Sequence, residues 1–198
     1  IDYPIILGKE KDFDYPVQVQ KYAWSLNESD QFYNKINIMG HNIFNLSSNP
    51  KKRSDTFYRF EELMAFVYDD FAEKNKYIQF TMHGEDYVYK IFAAGFVSST
   101  EVSFFPPGEN DEDDIDYQLK LFKDTSLYDY DVDVNKNDKL ISLITCTRFF
   151  GDTHTDFVVT GRLMRKGEKI KNYDVKKNKN YETVEEKLKE GNNDDETL

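Results

Sequence analysis

The sequence is short of three things, and each shortage closes off a class of function. It holds one cysteine, Cys146, in 198 residues. A single thiol cannot build an internal disulfide framework or an all-cysteine metal site. Basic residues are outnumbered, 26 Lys and Arg against 37 Asp and Glu, for a net charge of −11. Nucleic-acid binding needs a basic face that neutralises phosphates, and an anionic membrane surface attracts the same kind of patch, so charge supports neither partner. Long apolar runs are also missing: none approaches the ~18–20 residues that cross a bilayer, and no signal-peptide pattern is visible. No internal repeat is evident, and the pattern calls for no cofactor and no metal.

Aromatic residues, by contrast, are plentiful, with 14 Tyr and 16 Phe. Many sit in alternating segments, which favour β structure over a helical bundle. The length suits one domain with a full hydrophobic core. Tyr3-Pro4 and Tyr15-Pro16 force extended backbone, so Ile5 to Leu7 and the pair Val17 and Val19 read as short edge strands. A strand through Ile36 and Ile38 ends at Gly40-His41-Asn42, where glycine permits a tight turn or close backbone approach. From Thr56 to Lys76 the apolar residues Phe57, Phe60, Leu63, Met64, Val67 and Phe71 recur at three and four, predicting one amphipathic helix capped by Asp55.

Alternation then returns. Tyr77 to Phe80, a turn at His83-Gly84-Glu85-Asp86, and Tyr87 to Phe92 predict a β-hairpin. Phe96 to Phe105 reads as a further strand, and the acidic run Glu109 to Asp116 as solvated loop. Ile115, Leu119 and Phe122 mark a short helix. Aspartates at 129, 131 and 133 invite a calcium-loop reading. It fails, because the sixth position carries no glycine and Leu140 stands where the bidentate glutamate belongs. Residues 166–198 are rich in lysine and glutamate, the composition of a frayed helix or a disordered tail. The expected fold is mainly β, of mixed type, with one long and one short helix. A single folded domain would precede this charged C-terminal stretch.

The chain is organised around Leu140 to Val159. An apolar run rich in β-branched residues ends at Cys146, a short polar loop follows, and Phe157-Val158-Val159 begins a second run. A lone free cysteine is by default a small buried hydrophobe. At the lip of a strand, however, a thiol is rigidly held and still reachable, as a nucleophile must be. Such a cysteine needs a histidine from elsewhere in the chain. His41, at its strand end, is the candidate, although a local hydrogen bond would also explain a histidine there. His83 reads as an exposed turn residue.

Several motifs then occur in one order. Leu143-Ile144-Thr145-Cys146 is similar to the TLxTC-like strand of the sortases, the surface-anchoring cysteine transpeptidases of Gram-positive bacteria. Gly40-His41-Asn42 after a short strand, a helical stretch, and a SLYD-x-x-V-x-V segment at Ser126 to Val134 resemble class B sortases in particular. The opening Tyr3-Pro4-Ile5 also looks like the start of that domain. The resemblance covers roughly residues 1–165. It implies a closed, mixed β-barrel with flanking helices. Cys146 would attack the carbonyl of a sorting-signal peptide of NPxTx type, giving a thioacyl-enzyme. An amine of a peptidoglycan cross-bridge or a pilin lysine would resolve it. His41 would be the general acid and base, with Asn42 and Thr145 beside the substrate. The resemblance further implies an extracytoplasmic, cell-surface location and a membrane anchor upstream of Ile1.

One position departs from the family. Asp156 stands where sortases place an arginine that stabilises substrate or oxyanion, and a carboxylate there repels a developing oxyanion. Arg148, two residues after Cys146, would share the thiol's strand face and is the expected stand-in. Arg162 has the parity of Asp156 but lies ~20 Å along the strand. Asp156 alternatively orients His41, as the carboxylate of a triad does. Two further readings stay open: a sortase fold kept as an assembly or binding module, and a peptidase whose acyl-enzyme is resolved by water.

Overall fold

A computed structural model describes residues 6–7, 18–19, 35–40, 60–82, 84–99, 112–147 and 154–179. Along these the chain runs β1 (Ile6–Leu7), β2 (Gln18–Val19), β3 (Lys35–Met39), a 3-10 helix (Phe60–Val67) and α1 (Asp69–Lys74). It continues with β4 (Tyr77–Met82), β5 (Glu85–Ser98), α2 (Glu112–Thr125), β6 (Tyr128–Tyr130), β7 (Leu140–Thr147), β8 (Thr155–Leu163) and β9 (Val175–Lys177). Seven strands make one sheet in the order β1-β2-β3-β7-β8-β5-β4, and β6 pairs with β9 in a separate ribbon. The β1–β2 and β3–β7 pairs are parallel; the other pairs in the large sheet are antiparallel.

The expected closed barrel is therefore corrected to an open half-barrel. Closure requires every strand to pair on both sides, and among the described residues no ladder joins the edge strands β1 and β4.

The two-residue period of the strands divides the core in two. One face turns Ile36, Ile38, Ile141, Phe157 and Val159 toward Phe60, Leu63 and Met64 of the 3-10 helix. The other turns Leu140, Ile144, Val158 and Val97 toward Ile115, Leu119 and Phe122 of α2. Both faces are covered, so β7 is apolar almost without interruption, as a central strand buried on both sides should be.

The structure revises several local expectations. The single helix over 56–76 is instead a 3-10 helix and α1, separated by Tyr68 in extended conformation (φ −100°, ψ 128°). Phe60, Leu63 and Phe66 lie three apart, and a 3-10 helix stacks that spacing on one face. Asp55 and Phe57 fall outside the described residues. Glu112 to Asp116 is not loop but the opening of α2, the longest described helix. Carboxylates are favoured there by the positive end of the helix dipole. The hairpin turn holds, with Gly84 at φ 79°. The strand expected from Phe96 is the end of β5, which continues past a register shift between Ile91 and Ala93. That extra residue is a bulge that bends the strand.

Residues 164–179 pack against the sheet rather than forming a tail. Glu168 takes both ends of the buried Arg162 guanidinium at 2.6 and 2.8 Å, and these bonds hold its carboxyl well below the usual carboxylate range. The Tyr173 hydroxyl donates to the Ile91 carbonyl at 2.9 Å. Arg165 bonds Asp133 at 2.6 Å and Asp138 at 2.8 Å, so those two carboxylates of the aspartate-rich segment are held by a guanidinium. Residues 180–198 lie outside the described part.

Gly95 marks a close approach between β5 and the end of α2. It bridges Ser126, and a Cβ added there would stand 2.0 Å from the Thr125 carbonyl oxygen. Backbone would have to move. Gly95→Ala should cost about 1–3 kcal/mol, the range for forcing an extra methyl into a packed core. Denaturant unfolding would read this as a lower midpoint at unchanged slope; an unchanged midpoint would contradict the close approach.

Candidate active site

Strand β7 ends Thr145-Cys146-Thr147. Alternation sends the two threonines to one face, where both are buried, and Cys146 to the other, where it is exposed. The bland reading of a lone cysteine as a core thiol fails here. The rest of the strand is buried apart from half-buried Leu143, so an accessible sulfur sits on a rigid support.

On one side of β7 runs β3, parallel to it, with Met39 opposite Ile144. The pairing continues one residue further. The Gly40 amide donates to the Ile144 carbonyl at 3.0 Å, and the Thr145 hydroxyl donates to the Gly40 carbonyl at 2.8 Å. Glycine's two backbone polar groups are both tied to the cysteine strand, at the residue just before His41. Thr145, expected beside the substrate, is 0% exposed; its hydroxyl fastens backbone rather than pointing to solvent.

On the other side runs β8, and its register sets Asp156 directly opposite Cys146. Directly opposed residues share a face of the sheet, with Cβ atoms ~4.5–5.5 Å apart. Asp156 is 5% exposed. Burial pushes its carboxyl pKa up, and a hydrogen bond with the Ser99 side chain pulls the other way. Beyond it on β5 stands Val97, its register partner. Ser99 escaped the sequence reading, because its meeting with Asp156 depends on a long-range antiparallel pairing that leaves no local signal.

In the sheet order β3-β7-β8 the cysteine strand lies between the other two, so Asp156 is two strand spacings, ~9.5 Å, from β3.

The two described arginines are committed elsewhere. Arg162 pairs in register with Leu140, at the other end of β7, and donates to the Asp133 carbonyl at 2.7 Å as well as to Glu168. Arg165 holds Asp133 and Asp138. His41, Asn42 and Arg148 fall outside the described residues. No group of three His, Cys, Asp or Glu side chains among the described residues gathers as a metal site would require. A cavity of about 300 Å³ lined by Ile38, Phe60, Leu63, Ile141 and Val159 lies on the opposite face of the sheet from Cys146.

Comparison with known proteins agrees with this geometry. A family model described as Sortase domain matches residues 1–164. Clostridium perfringens sortase B superposes with a TM-score of 0.65 at 24% identity, covering 83% of this chain and 88% of that one. Sortase B from the type II pilus of Streptococcus pneumoniae gives 0.63 at 18% identity, over 84% and 87% of the two chains. Staphylococcus aureus sortase B, solved as a substrate complex, gives 0.62 at 20% identity over 83% and 74%. Among curated protein sequences no relative matches. With a cysteine-ended strand, a glycine clamped beside it and a family model spanning most of its length, the chain belongs to the sortase family of cysteine transpeptidases.

Proposed function

We propose that this chain acts as a class B sortase at the cell surface, with Cys146 as its nucleophile. The observation that carries the reading is the exposed thiol at the end of a buried strand, next to the point where Gly40 is tied down. In this reading His41 continues the register that ends at Met39 and Ile144 and so stands beside Cys146. In the first half-reaction the sulfur attacks a peptide carbonyl of the sorting signal. The C–N bond breaks, and His41 gives a proton to the leaving amine, the role its near-neutral pKa suits. The thioacyl-enzyme that remains is attacked by an amine. Arg148 is the proposed donor to the oxyanion of the first step, and Asn42 a neighbour of the bound peptide. A membrane anchor upstream of Ile1 would hold the domain at the surface.

The relatives support the two substrate classes. Sortase B has been solved with substrate, in the staphylococcal enzyme, and with triglycine, a peptide ligand and an amine-bearing one. For this chain the corresponding partners are an NPxTx-type sorting signal and the amine of a peptidoglycan cross-bridge. The pneumococcal relative belongs to a pilus, which makes a pilin lysine the second acceptor to test. Asp156 motivates one competing reading, a sortase fold kept for assembly or binding without turnover, because a carboxylate opposite the thiol disfavours an oxyanion.

A fluorogenic NPxTx peptide, offered with and without triglycine, tests the reading. Mass spectrometry should find a thioacyl adduct on Cys146, and triglycine should convert it to a new amide. Cys146→Ala should abolish both; absence of any adduct in the unaltered protein would leave the non-catalytic reading in its place. Arg148→Ala should slow adduct formation by about 10²–10³, the usual loss for one oxyanion donor. A near-native rate would exclude that role.

A further inference from the structure

Asp156 departs from the family's pattern at the position nearest the chemistry, and three observations limit what it can do there. Its register partner is Cys146, so carboxyl and thiol leave adjacent strands on the same face. It is almost fully buried, whereas the thiol beside it is exposed. No described cation accompanies it. Lys35 and Arg162 project from the same face but lie six residues down their strands, ~20 Å away. There Lys35 bonds the Gln118 side chain and Arg162 bonds Glu168. A buried carboxylate keeps its charge only with a partner. The neighbour of Asp156 on that face is the exposed thiol, where the substrate reacts in the proposed function.

We propose that Asp156 receives the acceptor amine: its carboxylate docks the incoming ammonium beside Cys146, takes one of its protons, and as a neutral acid then faces the oxyanion in place of the family's arginine. The inference rests on the reading of Cys146 as the acylated nucleophile. The amine enters with three protons on nitrogen. One passes to Asp156, and the freed lone pair forms the N–C bond to the thioacyl carbonyl. As the tetrahedral adduct collapses, the C–S bond breaks and its electron pair returns to sulfur. A second proton goes from nitrogen to the sulfur, and one stays on the new amide. Asp156 later loses its proton to water. The charge that would repel an oxyanion is therefore gone when the second oxyanion forms. Carboxylic acids kept neutral in apolar sites do act as donors of this kind.

The sign of the pH dependence follows. Asp156 must be ionised to take the proton, so aminolysis is lost as pH falls through its raised pKa, while hydrolysis of the thioacyl group by water does not need the ion pair. Among the described residues the groups around Asp156 are few. Cys146 faces it from β7, β5 contributes Val97, and Ser99 follows the end of β5; neither Val97 nor Ser99 is ionisable in this range. His154 precedes β8, and α2 presents Ile115, Leu119 and Phe122 to this face.

The test is the ratio of transpeptidation to hydrolysis, read with triglycine as acceptor. In Asp156→Asn the ratio, measured on the thioacyl adduct the variant forms, should fall by about tenfold or more, at the low end of what one proton-transfer group supplies. An unchanged ratio would overturn the proposal. Adduct formation in the variant also reports that its site is folded. If the Asn variant forms no adduct, Ser99→Ala decides instead. Removing the bond that opposes the pKa rise should move the acid limb of the ratio to higher pH, and an unmoved limb would overturn the proposal. Absence of a thioacyl adduct in the unaltered protein would instead refute the nucleophile reading, so the two failures are distinguishable.

Discussion

Two hydrogen bonds at the end of β3 set the geometry on which the candidate site depends. Gly40 gives its amide to Ile144 and takes the hydroxyl of Thr145 on its carbonyl, closing a parallel pairing between segments separated by 105 residues. Parallel neighbours need a long crossover, and nothing local in either segment enforces their register. The apolar faces above and below supply that enforcement: a one-residue slip would turn Ile36 and Ile38 away from the core they share with Ile141. Core packing thus fixes the register, and the register fixes what stands next to Cys146.

The same logic runs across the other side of β7. Antiparallel pairing sets Asp156 against Cys146 on one side and Val97 of β5 on the other, and Ser99, just past β5, bonds its carboxyl. At the far ends of β8 and β5, Arg162 and Lys90 gather on Glu168. The pairing of buried Arg162 with half-buried Glu168 anchors residues 164–179, and that role leaves its guanidinium no part in chemistry ~20 Å away.

How much of this was legible beforehand depends on the range of the interaction. Strands β7 and β8 could be read because their two-residue period is local. So could the meeting of hairpin partners β4 and β5 around Gly84. The segment 60–74 could not be resolved into two helices, since apolar spacings of three and four suit both helix types. The acidic run read as loop because charge alone does not distinguish a solvated segment from a helix N-terminus. At the site, the motif order pointed to Cys146, and alternation gave its parity. Whether that face was open, what the Thr145 hydroxyl bonds, and that Ser99 meets Asp156 all depend on pairings distant in sequence.

The proposed chemistry depends on residue 41 continuing the β3–β7 register, which ends at Met39 and Ile144, to stand beside Cys146. Because Cys146 is the only cysteine, a second thiol tests this without ambiguity. His41→Cys, oxidised under mild conditions, should lose two hydrogens by mass and resist alkylation at both positions, because neighbouring strands hold Cα atoms within the ~4.4–6.8 Å a disulfide spans. Two thiols that remain free and alkylate independently would contradict the account.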